Sequence, residues 1–385
     1  MTFLRWLLWG GAIASFGYYT MATYAAWRFF RQKRESAGDF TPAVSMLKPV
    51  RGLDPGAYEN FASFCRQDYP NFEILFGVSD KVDPVIPVIQ KIQQDFPGVP
   101  IRLLIGSETV GTSSKVNKLC RLAREASYDV LVISDSDMRT RPDYLRAVVA
   151  PFRDPRVGVV TCPYLPIEAR GLGSRLEAIG EAADFVAGVI SSWFLEGVKF
   201  AMGSTMATTR QRLAEIGGFE ALADCFVEDF ELGFRIAKNG YRVELLPYPV
   251  GMAIPAQGIR EYFVHQVRWM IATRHSRPLG YLGMVITHGL PWAVAAAVLA
   301  PSLGVATAFV ATYLILRLTM AWMVGIRGLK DPLTRKDWWL LPIRDFFAFW
   351  IWLVALFSNR IEWRGREFYV RKGRLISVPA ESIDP

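Results

Sequence analysis

Long apolar runs mark both ends of the chain, and over residues 42–275 short apolar segments alternate with polar ones. The first run covers residues 3–27 and carries one charge, Arg5. About 20 apolar residues suffice to cross a bilayer core. A secretory signal places its basic residues ahead of the apolar stretch, whereas here Arg28, Arg31, Lys33 and Arg34 follow it. The pattern predicts an uncleaved anchor at 1–27 and a basic linker at 28–41, held in the cytoplasm by the positive-inside rule.

From Val44 the pattern changes to strand and helix in turn. Residues 43–47 read as a buried strand closed by Lys48-Pro49, and 56–68 as a helix. Phe72 to Val78 is a second strand ending at Ser79-Asp80, and 83–95 a helix entered through Asp83-Pro84. Ile101 to Ile105 is a third strand, Ser114 to Ala126 a helix, and Val130 to Ser134 a fourth strand that ends in Asp135-Ser136-Asp137. This alternation predicts an α/β domain over 42–280 with a Rossmann-like, mainly parallel sheet covered by helices. Ligands of such sheets bind beyond the carboxyl ends of the strands, where Asp80 and Asp135 stand.

The apolar pattern returns after Arg274 and Arg277. Residues 281–300 and 303–325 predict a transmembrane hairpin within 281–326, followed by a basic cytoplasmic loop at 327–337. Residues 338–357 are apolar but interrupted by Pro342, Arg344 and Asp345. The tail, 358–385, is strongly basic as far as Arg374. A complete span at 338–357 would put that tail outside, so the charge rule favours a re-entrant or interfacial segment.

Composition agrees with a soluble domain held by membrane segments: 51% of residues are hydrophobic, and the mean hydropathy is +0.20. The net charge of +8 lies largely beside the apolar runs, which favours a membrane surface and argues against nucleic acid as a partner. The four cysteines, Cys65, Cys120, Cys162 and Cys225, lack metal-ligand spacing and read as reduced thiols.

Three groups of residues could carry chemistry. Asp135 and Asp137 alternate directly after a strand, so two hard oxygen ligands can meet one Mn²⁺ or Mg²⁺. Glu228-Asp229 begins a helix, where acids also favour the helix dipole. His265, Arg268 and Trp269 share a helical face suited to a diphosphate and an acceptor, or equally to headgroup depth in a membrane. Between them, residues 171–202 form an apolar, aromatic stretch with Trp193, Phe194, Phe200 and Met202 that could admit a lipid. Glu177, Glu181 and Asp184 share a helix face in that stretch, expected to be solvated.

The order of Lys48-Pro49, Asp80, Gly111-x-x-x-Lys115-x-Asn117, Asp135-Ser-Asp137, Glu228-Asp229 and His265-Gln-Val-Arg268-Trp269 resembles that of family 2-like, processive-type glycosyltransferases. More narrowly, Ser45 to Asp54, Gln67-Asp-Tyr-Pro70 and Trp363 to Tyr369 resemble the ceramide glucosyltransferases of family 21 and the related bacterial hopanoid glycosyltransferases. The resemblance implies a GT-A fold and inverting transfer from a UDP-sugar. It implies Asp80 on the uridine, Asp135 on nucleotide and metal, Asp137 as direct metal ligand and Asp229 as general base. Lys48, Lys115, Asn117 and Arg268 are implied on the nucleotide-sugar, and His265 with Trp269 on the acceptor or diphosphate helix. The helix motif of the family begins with Gln or Arg, and here His265 stands in that place.

The implied reaction moves a hexose, most simply glucose from UDP-glucose, onto a lipid hydroxyl, most simply that of ceramide, by an integral protein of a bacterial inner membrane whose catalytic domain is cytoplasmic. The rival readings are a hopanoid-directed N-acetylglucosaminyltransferase, a polysaccharide synthase and an inactive lipid-binding scaffold.

Overall fold

The computed structural model describes residues 2–33, 38–363, 366–371 and 373–377. Arg34 of the expected linker, and Arg364 and Lys372 of the basic tail, lie outside the described residues. The chain folds as two compact units, each built from separated stretches. A helical unit comprises Met1–Gln32, Leu165–Gly197 and Ile254–Asn359; a sheet unit comprises Lys33–Tyr164, Val198–Ala253 and Arg360–Pro385.

The strands in chain order are β1 (Val44–Val50), β2 (Phe72–Val78), β3 (Ile101–Ile105), β4 (Val130–Ile133), β5 (Met138–Arg139), β6 (Val157–Thr161), β7 (Tyr164–Ile167), β8 (Met206–Thr209), β9 (Arg242–Leu245) and β10 (Val250–Ala253). Seven of them form the main sheet in the order β3-β2-β1-β4-β8-β6-β9. The first four run parallel, β8 is antiparallel to β4 and β6, and β6 pairs parallel with β9. Every residue of β1 is buried, so its sequence lacks the alternation of a strand with one solvated face, and its polar Ser45 and Lys48 are hydrogen-bonded inside the domain. The strand runs through Lys48-Pro49, which were expected to close it, and ends at Val50. Proline's fixed φ is compatible with an extended chain, and only its N–H is lost.

Helix Ser114–Glu125 is started by Ser113, whose hydroxyl accepts from Val116 N. It lies close over β2 because Gly77 presents no side chain to Leu122. The basic tail, which the sequence left without structure, forms three antiparallel strands, β11 (Arg360–Trp363), β12 (Arg366–Arg371) and β13 (Arg374–Ser377). Within the sheet unit they meet the segment ahead of Asp229: Phe226 N donates to Gly373 O at 2.9 Å, and Cys225 bridges to Arg374.

The helical unit opens with Thr2–Phe30, a single helix of 29 residues. Small residues let neighbours approach it: a Cβ on Gly11 would strike Trp292, and one on Gly289 would strike Tyr19. Tyr19 donates to Thr287 O and accepts from Gly289 N, each at 3.0 Å, while Ser15 donates to Ile286 O at 2.6 Å. Leu172–Glu196, Leu303–Gly328 and Pro332–Phe357 are each long and apolar enough to cross a membrane, and the pair Pro278–Thr287 and Gly289–Val298, bent by 48°, qualifies as one broken span. These helices associate the chain with a membrane.

Two sequence expectations change here. Pro342 does not interrupt the last apolar segment; it lies in the first turn of helix Leu341–Phe357, where its missing N–H is harmless. The acid face of residues 177–184 is not solvated. Glu177 and Glu181 are each only 4% exposed. Asp184 pairs with Arg317 at 2.6 Å and Arg344 at 2.9 Å, and Arg317 also holds Asp345 at 2.7 Å. A π-helical turn, Glu181–Phe185, interrupts the α-helical spacing at this place. Charges inside apolar helices persist only when paired, so basic residues within one apolar helix call for acids on another.

Candidate active site

The Asp135-Ser136-Asp137 segment leaves the end of β4 and is fixed by its backbone. Asp135 N donates to Gly203 O at 3.0 Å, and Lys48 Nζ donates to Asp135 O at 2.7 Å. Gly203 is required by this approach, because a Cβ there would meet the Asp135 carboxylate and the Tyr164 hydroxyl. Lys48 was expected on the nucleotide-sugar. It is instead fully buried, with its ammonium 3.6 Å from the centroid of Phe64. Burial drives its pKa down to about 7 against the pull of Asp135 and Asp137. A lysine that donates to a backbone carbonyl inside the domain fixes the position of the motif.

Lys115 does the opposite. Its ammonium bridges two carboxylates, Asp135 at 2.5 Å and Glu228 at 2.7 Å. Burial alone would lower its pKa, but the charges of Asp135, Glu228 and Asp229 hold it well above the ordinary value. One cation thus ties the end of β4 to the first turn of helix Glu228–Lys238. That helix is placed by close packing, since a Cβ on Gly233 would strike the backbone of Phe200 and Ala201, and Phe230 stacks on Phe200 at 5.6 Å. Glu228 joins the charge cluster through Lys115, while Asp229 stands half-buried beside it and accepts from Phe230 N at 2.7 Å. Burial first, then Glu228, pushes the Asp229 carboxyl up to about 7.

Asp137 is raised to about 7 likewise, by burial first and then by the charges of Asp135 and Asp54. Two alternating carboxylates, one of them raised by burial and by its neighbours' charge, fit a divalent cation as donors. Among the described residues no group of three or more His, Cys, Asp or Glu side chains could hold a metal alone. Mg²⁺ in sugar-nucleotide sites normally takes one or two carboxylates and completes its shell with phosphate oxygens and water.

Asp80 is exposed at the end of β2 and accepts from Val82 N at 3.0 Å. It lines a cavity of about 490 Å³ together with Arg51, Gly52, Ser79, Asp83 and Ser114. Asp83 fixes the rim by accepting from Gly52 N at 2.9 Å. Sequence reasoning missed Arg51, Asp83 and Ser114, although each directly follows or adjoins a strand end or helix start that it did identify. Asn117 is buried and serves the adjoining loop, accepting from Val110 N and Gly111 N and donating to Gly111 O.

His265, Arg268 and Trp269 lie on helix Ile259–Ser276 of the helical unit. His265 Nδ1 is 3.1 Å from the buried Glu177 carboxylate, which also accepts from the Gln257 amide. The imidazole sits edge-on to Trp269 at 5.5 Å, and Trp269 is edge-on to Phe185 at 5.8 Å. Arg268 is half-buried on the same helix.

The whole chain from residue 7 to 376 matches the profile of glycosyl transferase family 21. The protein belongs to that family and is a glycosyltransferase. Ceramide glucosyltransferase 3 of Caenorhabditis elegans is 24% identical over 380 residues, covering 93% of this chain and 78% of the relative. A ceramide glucosyltransferase of Gibberella zeae is 35% identical over 137 residues, 33% of this chain and 26% of that one. Among solved structures, the mannosyltransferase PcManGT from Pyrobaculum calidifontis, in complex with GDP-Man and Mn²⁺, superposes with a TM-score of 0.55 at 19% identity, over 92% of this chain and 99% of that one. That likeness shows the GT-A fold, as the motif order implied.

Proposed function

We propose that this glycosyltransferase moves glucose from UDP-glucose onto the primary hydroxyl of ceramide with inversion. The observation that carries the reading is the cluster in which Lys115 joins Asp135 and Glu228 beside Asp229, at the carboxyl end of β4. The names of the family 21 relatives support the donor and acceptor classes, and the apolar helices of the chain suit a lipid acceptor.

In this reading the cavity at Asp80 takes the uridine, and Lys115 orients Asp135 and the neighbouring acids. A divalent cation, Mn²⁺ or Mg²⁺, held by Asp135 and Asp137, would neutralise the departing diphosphate. The bond from the anomeric carbon to the β-phosphate oxygen breaks, and its electron pair leaves with UDP. The acceptor oxygen bonds to the opposite face of the sugar, and its proton passes to the Asp229 carboxylate.

Asp229→Asn keeps size and hydrogen bonding but removes the base. UDP-sugar binding should survive while turnover falls about 10²–10⁴-fold. Glu228→Gln acts through Lys115 and should weigh on donor affinity more than on turnover. Both variants are to be measured for turnover and donor Kd, with hexosylceramide followed by lipid mass spectrometry. Near-normal turnover in Asp229→Asn would remove it from the mechanism; UDP release without hexosylceramide would remove ceramide as the acceptor.

A further inference from the structure

At the end of the helical unit where the chain departs for the sheet unit, helix Thr2–Phe30 meets the end of the run Leu303–Gly328. Their approach is close, since a Cβ on Gly328 would strike the ring of Phe30. Beside that contact lies a cavity of about 310 Å³ lined by Trp27, Phe30, Arg31, Met323, Arg327 and Gly328. Its walls are apolar and aromatic, and its two polar side chains are both guanidinium groups. Arg31 lies 4.6 Å from the Trp27 ring centroid and Arg327 lies 5.9 Å from that of Trp322. Both arginines are exposed, and no acid among the described residues forms an ion pair with either. Stacking on an indole fixes a guanidinium and leaves its N–H donors available.

Two cations with no acid partner, above aromatic and thioether walls and at the end of apolar helices, complement a ligand that is anionic at one end and apolar at the other. We propose that this cavity binds an anionic phospholipid. Arg31 and Arg327 hold the phosphate, and Trp27, Phe30 and Met323 line the glycerol and the first carbons of one acyl chain. Basic pockets between membrane helices bind lipid phosphates in this way, each arginine adding about fivefold in affinity. The occupant is not the acceptor of the transfer, which is neutral in the reading above, and the site shares no residue with the charge cluster around Lys115. The two readings therefore fail independently.

The test uses full-length protein, delipidated in neutral detergent and titrated with short-chain phosphatidylglycerol, phosphatidylcholine or inorganic phosphate, with native mass spectrometry counting bound molecules. Phosphatidylglycerol should bind one to a chain and phosphatidylcholine should not. The R31Q/R327Q variant should bind about thirtyfold more weakly. Met323→Trp, which fills the cavity and leaves both charges, should also expel the lipid; it guards against a double variant that fails to fold. Equal binding of the two phospholipids, or unchanged binding by both variants, would overturn the proposal. Displacement of phosphatidylglycerol by millimolar inorganic phosphate would overturn it too, by showing that the acyl walls contribute nothing.

Discussion

In the proposed reaction Asp229 is the residue on which the chemistry turns, and its surroundings set when it can act. Burial and the adjacent Glu228 push its carboxyl up to about 7, while Lys115 opposes the rise. A carboxyl raised in this way is protonated below that value and cannot accept a proton from the acceptor hydroxyl. The sign is therefore fixed: turnover of the Asp229-dependent reaction should rise with pH across the neutral range and level off above it. A kcat/KM profile flat from pH 6 to 8 would contradict this environment for the base. Lys48 teaches the converse lesson at the same scale. As a lysine after a strand it reads as a donor contact, and only its burial shows that its partner is the Asp135 carbonyl.

Among the elements, the run Leu172–Glu196 depends most on its neighbours. Its acids sit where an amphipathic pattern would give a solvated face, yet Glu177 is taken up by His265 and Gln257 and Asp184 by Arg317 and Arg344. Glu177 is shared by two donors on the segment around helix Ile259–Ser276. Glu177→Ala would leave the Gln257 amide and His265 Nδ1 without their acceptor in a largely closed setting, which costs about 1–3 kcal/mol. Thermal unfolding of the detergent-solubilised protein should shift downward accordingly, with Glu177→Gln milder because it keeps an acceptor oxygen. An unchanged midpoint for Glu177→Ala would show that the pairing contributes nothing to the helical unit. The pairing also gives His265 a defined tautomer, with Nδ1–H toward the carboxylate and Nε2 left outward.

For the whole molecule, chain continuity constrains how the apolar helices can use a membrane. The sheet unit gathers residues on both sides of Leu165–Gly197 and on both sides of Ile254–Asn359. A unit folded as one body occupies one side of a bilayer, so each excursion must cross it an even number of times. Leu172–Glu196, although long and apolar enough, cannot then be a lone complete span. Of the three candidate crossings between residues 278 and 357, one must turn back. Single cysteines introduced at Ser79, Lys330 and Arg374, in a background without the native thiols, should all react with a membrane-impermeant reagent from the same side. Labelling of Arg374→Cys from the opposite side would mean that β13 does not join the sheet unit in the membrane-bound protein.

The parallel sheet was legible in the sequence because β1 and β4 are buried throughout and β2 nearly so, and burial on both faces writes mostly apolar runs without alternation, a pattern the half-buried β3 shares. The acids at strand ends were legible for the same local reason: Asp80 and Asp135 mark where an apolar run stops. Pairing across long separations was not written there. The bridge from Lys115 to Asp135 and Glu228, the Gly203 contact under Asp135, the burial of Glu181 and the docking of Gly373 on Phe226 each join residues distant in sequence. A charge carries no local sign of its partner, since Coulomb attraction depends on the distance left after folding. Propensity and periodicity act within a few residues, and so they fixed the elements. Only the tertiary structure decided which charges pair with which across the chain.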